Sequence, residues 1–170
     1  MSTLTRDELF LSVIEQHKGI IYKIANSFKK DEDDKKDLMQ EIILQLWRSF
    51  DSYDEKSKFS TWMYRVALNV AIASYRKEKK HNEFIAPMPE SVIALADENI
   101  STEREYELGL LQKFIGELKE LDRALMLLHM EQKTYKEIAV VVDISETNVA
   151  TRISRVKEKL KQKFFKINKM

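Results

Sequence analysis

The chain has 170 residues, 44% of them hydrophobic, with a net charge of +1, three glycines, two prolines and no cysteine. Lack of cysteine excludes a disulfide framework and thiolate metal sites. So few helix breakers among abundant Lys, Glu, Leu and Ile predict an all-α protein, at this length two small helical domains.

Thr5-Arg-Asp-Glu8 has the spacing of a capping box, and a helix with Leu9, Val13, Ile20, Ile21, Ile24 and Phe28 on its apolar side is expected to follow it. Charges recur every few residues here, so the segment is neither a leader nor a membrane span, and a cytoplasmic protein without membrane insertion is expected. The acidic run DEDDKKD leads into a second helix whose apolar face comprises Leu38, Met39, Ile42, Ile43, Leu46, Trp47 and Phe50. Asp37, Gln40, Glu41, Gln45 and Arg48 form its polar side, either a solvated surface or a docking face for a basic partner.

Turn formers in SFDSYDEKSKFS end that helix, and a third begins near Ser60 or Thr61. It is apolar around most of its circumference, except for an arc holding Arg65, Asn69, Arg76 and Lys80 with Trp62 at its edge. An aromatic ring beside arginines suits unstacked bases, and equally suits a core. Residues 82–101, with both prolines, are expected to be an interdomain linker between units 1–81 and 102–170.

A second capping box, Thr102 to Glu105, predicts a helix carrying Leu110, Leu111, Phe114, Ile115 and Leu118, followed by a short apolar helix in LDRALMLLHM. Thr134-Tyr-Lys-Glu137 is a third box, opening the short helix YKEIAVVV. Beyond VDIS, with Ser145 as N-cap, a longer basic helix completes a helix-turn-helix pattern. Val149, Ile153, Val156 and Leu160 form its buried stripe; Asn148, Arg152, Arg155 and Lys159 form a second stripe about 100° away. Arginine makes two-point bonds to guanine and asparagine to adenine, so this stripe suits base edges in a major groove, with lysines from 159 onward placed for phosphates. An ordinary solvated helix also carries such charges.

Charge alternates along the chain: nine acidic against three basic residues in 31–55, seven basic against one acidic in 56–80, seven acidic against one basic in 82–107, and ten basic against four acidic in 133–169. Catalytic patterns are missing. His17, His81 and His129 are isolated, the three glycines cannot build a phosphate loop, and the run from Asp31 has Lys36 and Ile42 where a calcium loop needs glycine and glutamate.

The stretch DLMQEIILQLWRSFDSYDEKSKFSTWMYRVALNVAIASYRKEKK resembles region 2 of bacterial RNA polymerase sigma factors, and LKELDRALMLLHMEQKTYKEIAVVVDISETNVATRISRVKEKLKQ is similar to their region 4. Both in this order, joined by a short linker, resemble the extracytoplasmic-function (ECF) class. That resemblance implies a non-enzymatic initiation subunit without a cofactor, whose partners are core RNA polymerase, promoter DNA and an inhibitory anti-sigma factor. It implies polymerase docking through Asp37, Gln40, Glu41 and Trp47. It further implies recognition and opening of the minus-ten element through Phe59, Trp62, Arg65, Asn69, Arg76, Lys77 and Lys80, and reading of the minus-thirty-five element through Asn148, Thr151, Arg152 and Arg155, with Lys159 gripping phosphate. Ala73 stands where many members have an aspartate that would hold Arg76, and Asp143 stands where glycine is common in the turn. Aspartate tolerates the left-handed conformation that such a turn requires. The alternative is a stand-alone helix-turn-helix regulator, which has no need of the acidic second helix and the Trp62 block.

Overall fold

The capping box at Thr5 forms as its spacing predicts. The Thr5 hydroxyl accepts from the Glu8 amide at 3.2 Å and the Glu8 carboxylate accepts from the Thr5 amide at 2.9 Å, opening helix α1 (Arg6–Phe28). The structure is a computed structural model describing residues 3–82 and 103–168. Asp31 caps α2 (Glu32–Ser49), whose first turn holds Glu32, Asp33 and Asp34, where the helix dipole favours negative charge. A short 3-10 turn, Phe50–Ser52, leads to the loop before α3 (Phe59–Asn82). That helix starts at Phe59, slightly ahead of the expected Ser60, and ends one residue inside the expected linker. Linker residues 83–101 and the Thr102 cap lie outside the described residues.

Four further helices follow: α4 (Glu103–Gly116), α5 (Glu120–Met130), α6 (Tyr135–Val142) and α7 (Glu146–Asn168). Among the described residues every regular element is a helix, in agreement with the all-α reading. Leu118 was expected inside the fourth helix but lies just past its end. Arg123, 3% exposed, explains the stop: its guanidinium donates to the Gly116 and Leu118 carbonyls, which a continuing helix would have bonded to its own amides.

Helix α3 is the centre of the packing. Met63, Tyr64, Ala67, Leu68 and Ala71 are buried, and the helix packs on α1 and α2 as well as on α5 and α6. One hydrophobic cluster therefore runs through both halves of the chain, from Phe10, Ile24, Ile42 and Leu46 through α3 to Leu125, Leu128, Ile138, Val149 and Ile153. A smaller cluster of Phe114, Leu118, Met126, Val156 and Leu160 ties α4, α5 and α7 together. All four members of the predicted apolar stripe of α7 are thus buried.

Polar contacts rim the junction of the halves. Arg76 donates to Glu120 at 2.8 Å, Lys23 donates to Glu131 at 2.6 Å, the Lys133 ammonium lies 5.5 Å from the Tyr64 ring centroid, and the Arg123 guanidinium lies 4.6 Å from that of Tyr75. Burial, and secondarily Glu131, pushes the Tyr64 phenol up to about 12, so it stays neutral across the physiological range.

A shared core couples the stability of the halves. Leu128→Ala should cost about 2–5 kcal/mol. Both tryptophans, Trp47 and Trp62, lie in the N-terminal half, so their fluorescence transition should shift together with the helical circular dichroism transition. A fluorescence transition left in place would show that the halves unfold independently.

Candidate DNA and polymerase interfaces

Three surfaces carry the residues singled out in the sequence. On α2, Asp37, Gln40 and Glu41 are exposed, and exposed Leu44 follows at the spacing that puts all four on one side of the helix. Trp47 is half-buried, its ring sandwiched between core and Arg6: the Arg6 guanidinium lies 4.0 Å from the ring centroid while Phe10 meets it edge-on at 5.1 Å. Arg6 is itself fixed by bonds to the Asp51 carboxylate at 2.8 Å and the Trp47 carbonyl at 2.9 Å. Between α1 and α2 lies a shallow apolar groove bounded by Phe10, Leu11, Gln40, Ile43, Leu44 and Trp47. Leu11 and Leu44, respectively 66% and 47% exposed, were missed in the sequence because an isolated exposed leucine carries no signal until a second helix is laid beside it.

The second surface begins at the N-terminus of α3. Phe59 and Trp62 are half-buried with ring centroids 5.4 Å apart, and Tyr53 from the preceding loop completes a triangle at 5.5 Å from Phe59 and 5.4 Å from Trp62. His17 of α1 meets Phe59 edge-on at 5.1 Å. The Tyr53 hydroxyl donates to the Ser57 carbonyl at 2.5 Å, closing the loop behind the cluster. Tyr53 sits in a run read only as a turn, and His17 is distant in sequence, so neither was found; an aromatic in a loop leading to the Phe59 block was the available hint. Trp62 packs partly against the core and stays partly accessible.

Arg65, Asn69 and Lys77 are exposed along α3. Lys80 lies in its last turns, with its side chain outside the described residues. Arg76 points to Glu120 of the other half, so the carboxylate that Ala73 does not supply comes from α5. The hydrogen bond from Arg76, with help from the backbone, holds the Glu120 carboxyl below its ordinary value.

The third surface is α7. The helix-turn-helix is built by two hydroxyl caps: Thr134 accepts from the Glu137 amide and Ser145 from the Asn148 amide, each at 3.1 Å. Asp143 ends α6 in the left-handed conformation, φ 58° and ψ 49°, as its place in the turn demands. Asn148, Thr151, Arg155 and Lys159 are exposed on α7. Arg152 differs: it is half-buried and donates at 3.3 Å to Asp122 of α5. The five residues share a face, with one guanidinium already anchored.

Known proteins match this chain in sequence and fold. The Sigma-70 region 2 family model matches residues 13–81, and the Sigma-70 region 4 model matches residues 108–160. The chain is 26% identical over 162 residues to the ECF RNA polymerase sigma factor SigM of Bacillus subtilis, covering 93% of this chain and 94% of SigM. It is 25% identical to SigW of the same organism, covering 91% of this chain and 88% of SigW. Among solved structures, the fold is similar to CnrH in complex with the cytosolic domain of CnrY, with TM-score 0.65 and 22% identity over 91% of this chain and 86% of that one. It is likewise similar to RpoE of Bartonella quintana in complex with the anti-sigma factor NepR, with TM-score 0.68 and 18% identity over 90% of this chain and 94% of that one.

The left-handed turn sets a local test. Asp143→Val should cost about 1–2 kcal/mol, because a β-branched residue resists positive φ, while Asp143→Gly should be tolerated, both read by chemical denaturation. Equal stability of the two variants would show that the turn is not left-handed.

Two sigma regions in order, on a chain that aligns with ECF factors over nearly its whole length, decide the identity: the protein belongs to the ECF RNA polymerase sigma factors, initiation subunits that are not enzymes and that direct core polymerase to promoters.

Proposed function

We propose that this sigma factor divides its work among the three surfaces described, with units 1–81 and 102–170 as separate promoter-binding parts joined by linker 82–101. The observation that carries the reading is the presence, on one chain, of an aromatic cluster at the head of a basic helix face and a capped helix-turn-helix with an exposed Asn148-Thr151-Arg155 face. The first suits single strands and the second suits duplex.

On α3, Phe59 and Trp62, with Tyr53 beside them, offer π-faces to bases unstacked at the minus-ten element, while Arg65, Asn69, Arg76, Lys77 and Lys80 follow the backbone. On α7, Asn148, Thr151, Arg152 and Arg155 address base edges of the minus-thirty-five element, and Lys159 neutralises phosphate. Asp37, Gln40, Glu41 and Trp47 dock the polymerase. Exposed Leu11 and Leu44 favour this, since an acidic stripe beside an apolar groove suits a partner surface that is both basic and apolar.

No helix among the described residues is long and apolar enough to cross a membrane. We place the protein in the cytoplasm with polymerase and DNA. Both structural relatives are solved with a bound protein, and an anti-sigma partner belongs to this reading.

Three substitutions test the assignment in binding and transcription assays with core polymerase. Arg152→Ala should cost about 1–3 kcal/mol at one base position and relax preference there. Lys159→Ala should weaken all sequences alike and reduce the salt slope by about one unit. Identical effects of both on every sequence would refute the division into base and phosphate contacts. Trp62→Ala should impair promoter opening more than duplex binding, by about 1–3 kcal/mol for each unstacked base. Loss of helical circular dichroism in that variant would instead assign the ring to the core.

A further inference from the structure

Gly19 stands in the middle of α1, where glycine weakens a helix relative to alanine. Its backbone does not demand glycine, since no glycine among the described residues has positive φ, and neither does packing: a Cβ built there meets no neighbouring atom within 4 Å. Gly19 lowers one wall of an open cleft of about 390 Å³, lined by α1, the first turns of α3 and the turn after α5. That volume fits a small organic molecule. The cleft shares no residue with the three surfaces assigned above.

Tyr64, 3% exposed, lines this cleft, and its hydroxyl has no hydrogen-bond partner among the described residues. A polar group so far withdrawn from water is normally bonded. Because its phenol stays protonated across the physiological range, it can donate to an acceptor in the cleft. Ser60 contributes a second hydroxyl, and the Lys133 ammonium lies 5.5 Å from the Tyr64 ring centroid. Of the two lysines here, Lys23 is taken by the Glu131 carboxylate at 2.6 Å, whereas Lys133 has no ion-pair partner among the described residues. Ser60 also lies in the first turn of α3, which carries no acidic residue, so the positive end of the helix dipole meets no carboxylate of its own helix.

We propose that this cleft binds a small phosphate-bearing molecule, its phosphate held by Lys133 with the Tyr64 and Ser60 hydroxyls and its organic part lying along Gly19 and Ile20. An ammonium, two hydroxyl donors and a helix N-terminus make a donor set for a doubly charged oxyanion with several oxygens. A carboxylate, with two oxygens and one charge, uses fewer of these donors. Glu131 opposes the anion, and its pairing with Lys23 offsets part of that repulsion.

Titration of the full chain with glycerol phosphate at constant ionic strength tests the site. The amide resonances of Gly19, Ser60 and Tyr64 should move along saturable curves with a Kd of about 1 mM or tighter, and the Tm of the chain should rise with ligand concentration. Lys133→Met should weaken binding about tenfold and Tyr64→Phe several-fold, both with unchanged helical circular dichroism. Gly19→Leu, which fills the cleft from an open position on α1, should abolish binding. Glu131→Gln should tighten it several-fold by removing a like charge.

A response that does not saturate would overturn the proposal, and so would shifts confined to the lysines of α7, which mark a phosphate drawn only to a basic surface. Equal affinity in the unaltered chain, Lys133→Met and Tyr64→Phe would overturn it as well, and these two variants decide the matter even where Gly19→Leu fails to fold. Glycerate binding as tightly as glycerol phosphate would overturn the assignment of phosphate.

Discussion

Helix α3 is apolar around most of its circumference, and two separate sets of helices cover it. Met63, Ala67, Leu68 and Ala71 are buried in the cluster that α3 shares with α1, α2, α5 and α6. Its exposed positions include a polar strip with Arg65, Asn69 and Arg76, with half-buried Trp62 near its head. The polar strip is thus positioned by the core itself, because any rotation of α3 that moved Arg65 would drag Met63 or Leu68 out of apolar contact. A ring at the border of the strip packs one edge inward and leaves the other accessible.

Electrostatics adds register to that packing. The first turn of α5 carries Glu120 and Asp122, at a helix end where negative charge is favoured, and each accepts from an arginine: Arg76 of α3 and Arg152 of α7. One short helix therefore orients a guanidinium from each proposed DNA face. These pairs are partly exposed, so each contributes little to stability compared with the shared core. Their effect lies in direction. Arg123 does the reverse, withdrawn from water to end α4 by bonding its last carbonyls and to stack against Tyr75 and Phe28.

Features set by neighbours in sequence were legible in it. The capping box at Thr5, the buried stripe of α7 and the left-handed Asp143 follow from rules acting within a few residues, and the structure reproduces them, whereas of the box expected at Thr134 only the hydroxyl cap to the Glu137 amide forms. Paired sigma regions were equally legible because each is a local pattern and their order is read directly. Tyr53 and His17 beside Phe59, the Leu11 and Leu44 groove, and the replacement of a missing aspartate at Ala73 by Glu120 were not. Each joins residues brought together by helix packing, which no period along the chain encodes.

The division between a strong core and a weak rim bears on how such a molecule works. If ion pairs held the halves together, salt alone would open them, since exposed pairs are screened at physiological ionic strength. Here the apolar cluster running from α1 through α3 to α6 and α7 supplies the attraction, and separating the halves exposes it. Separating them is then favourable only where another surface covers the apolar area that is exposed.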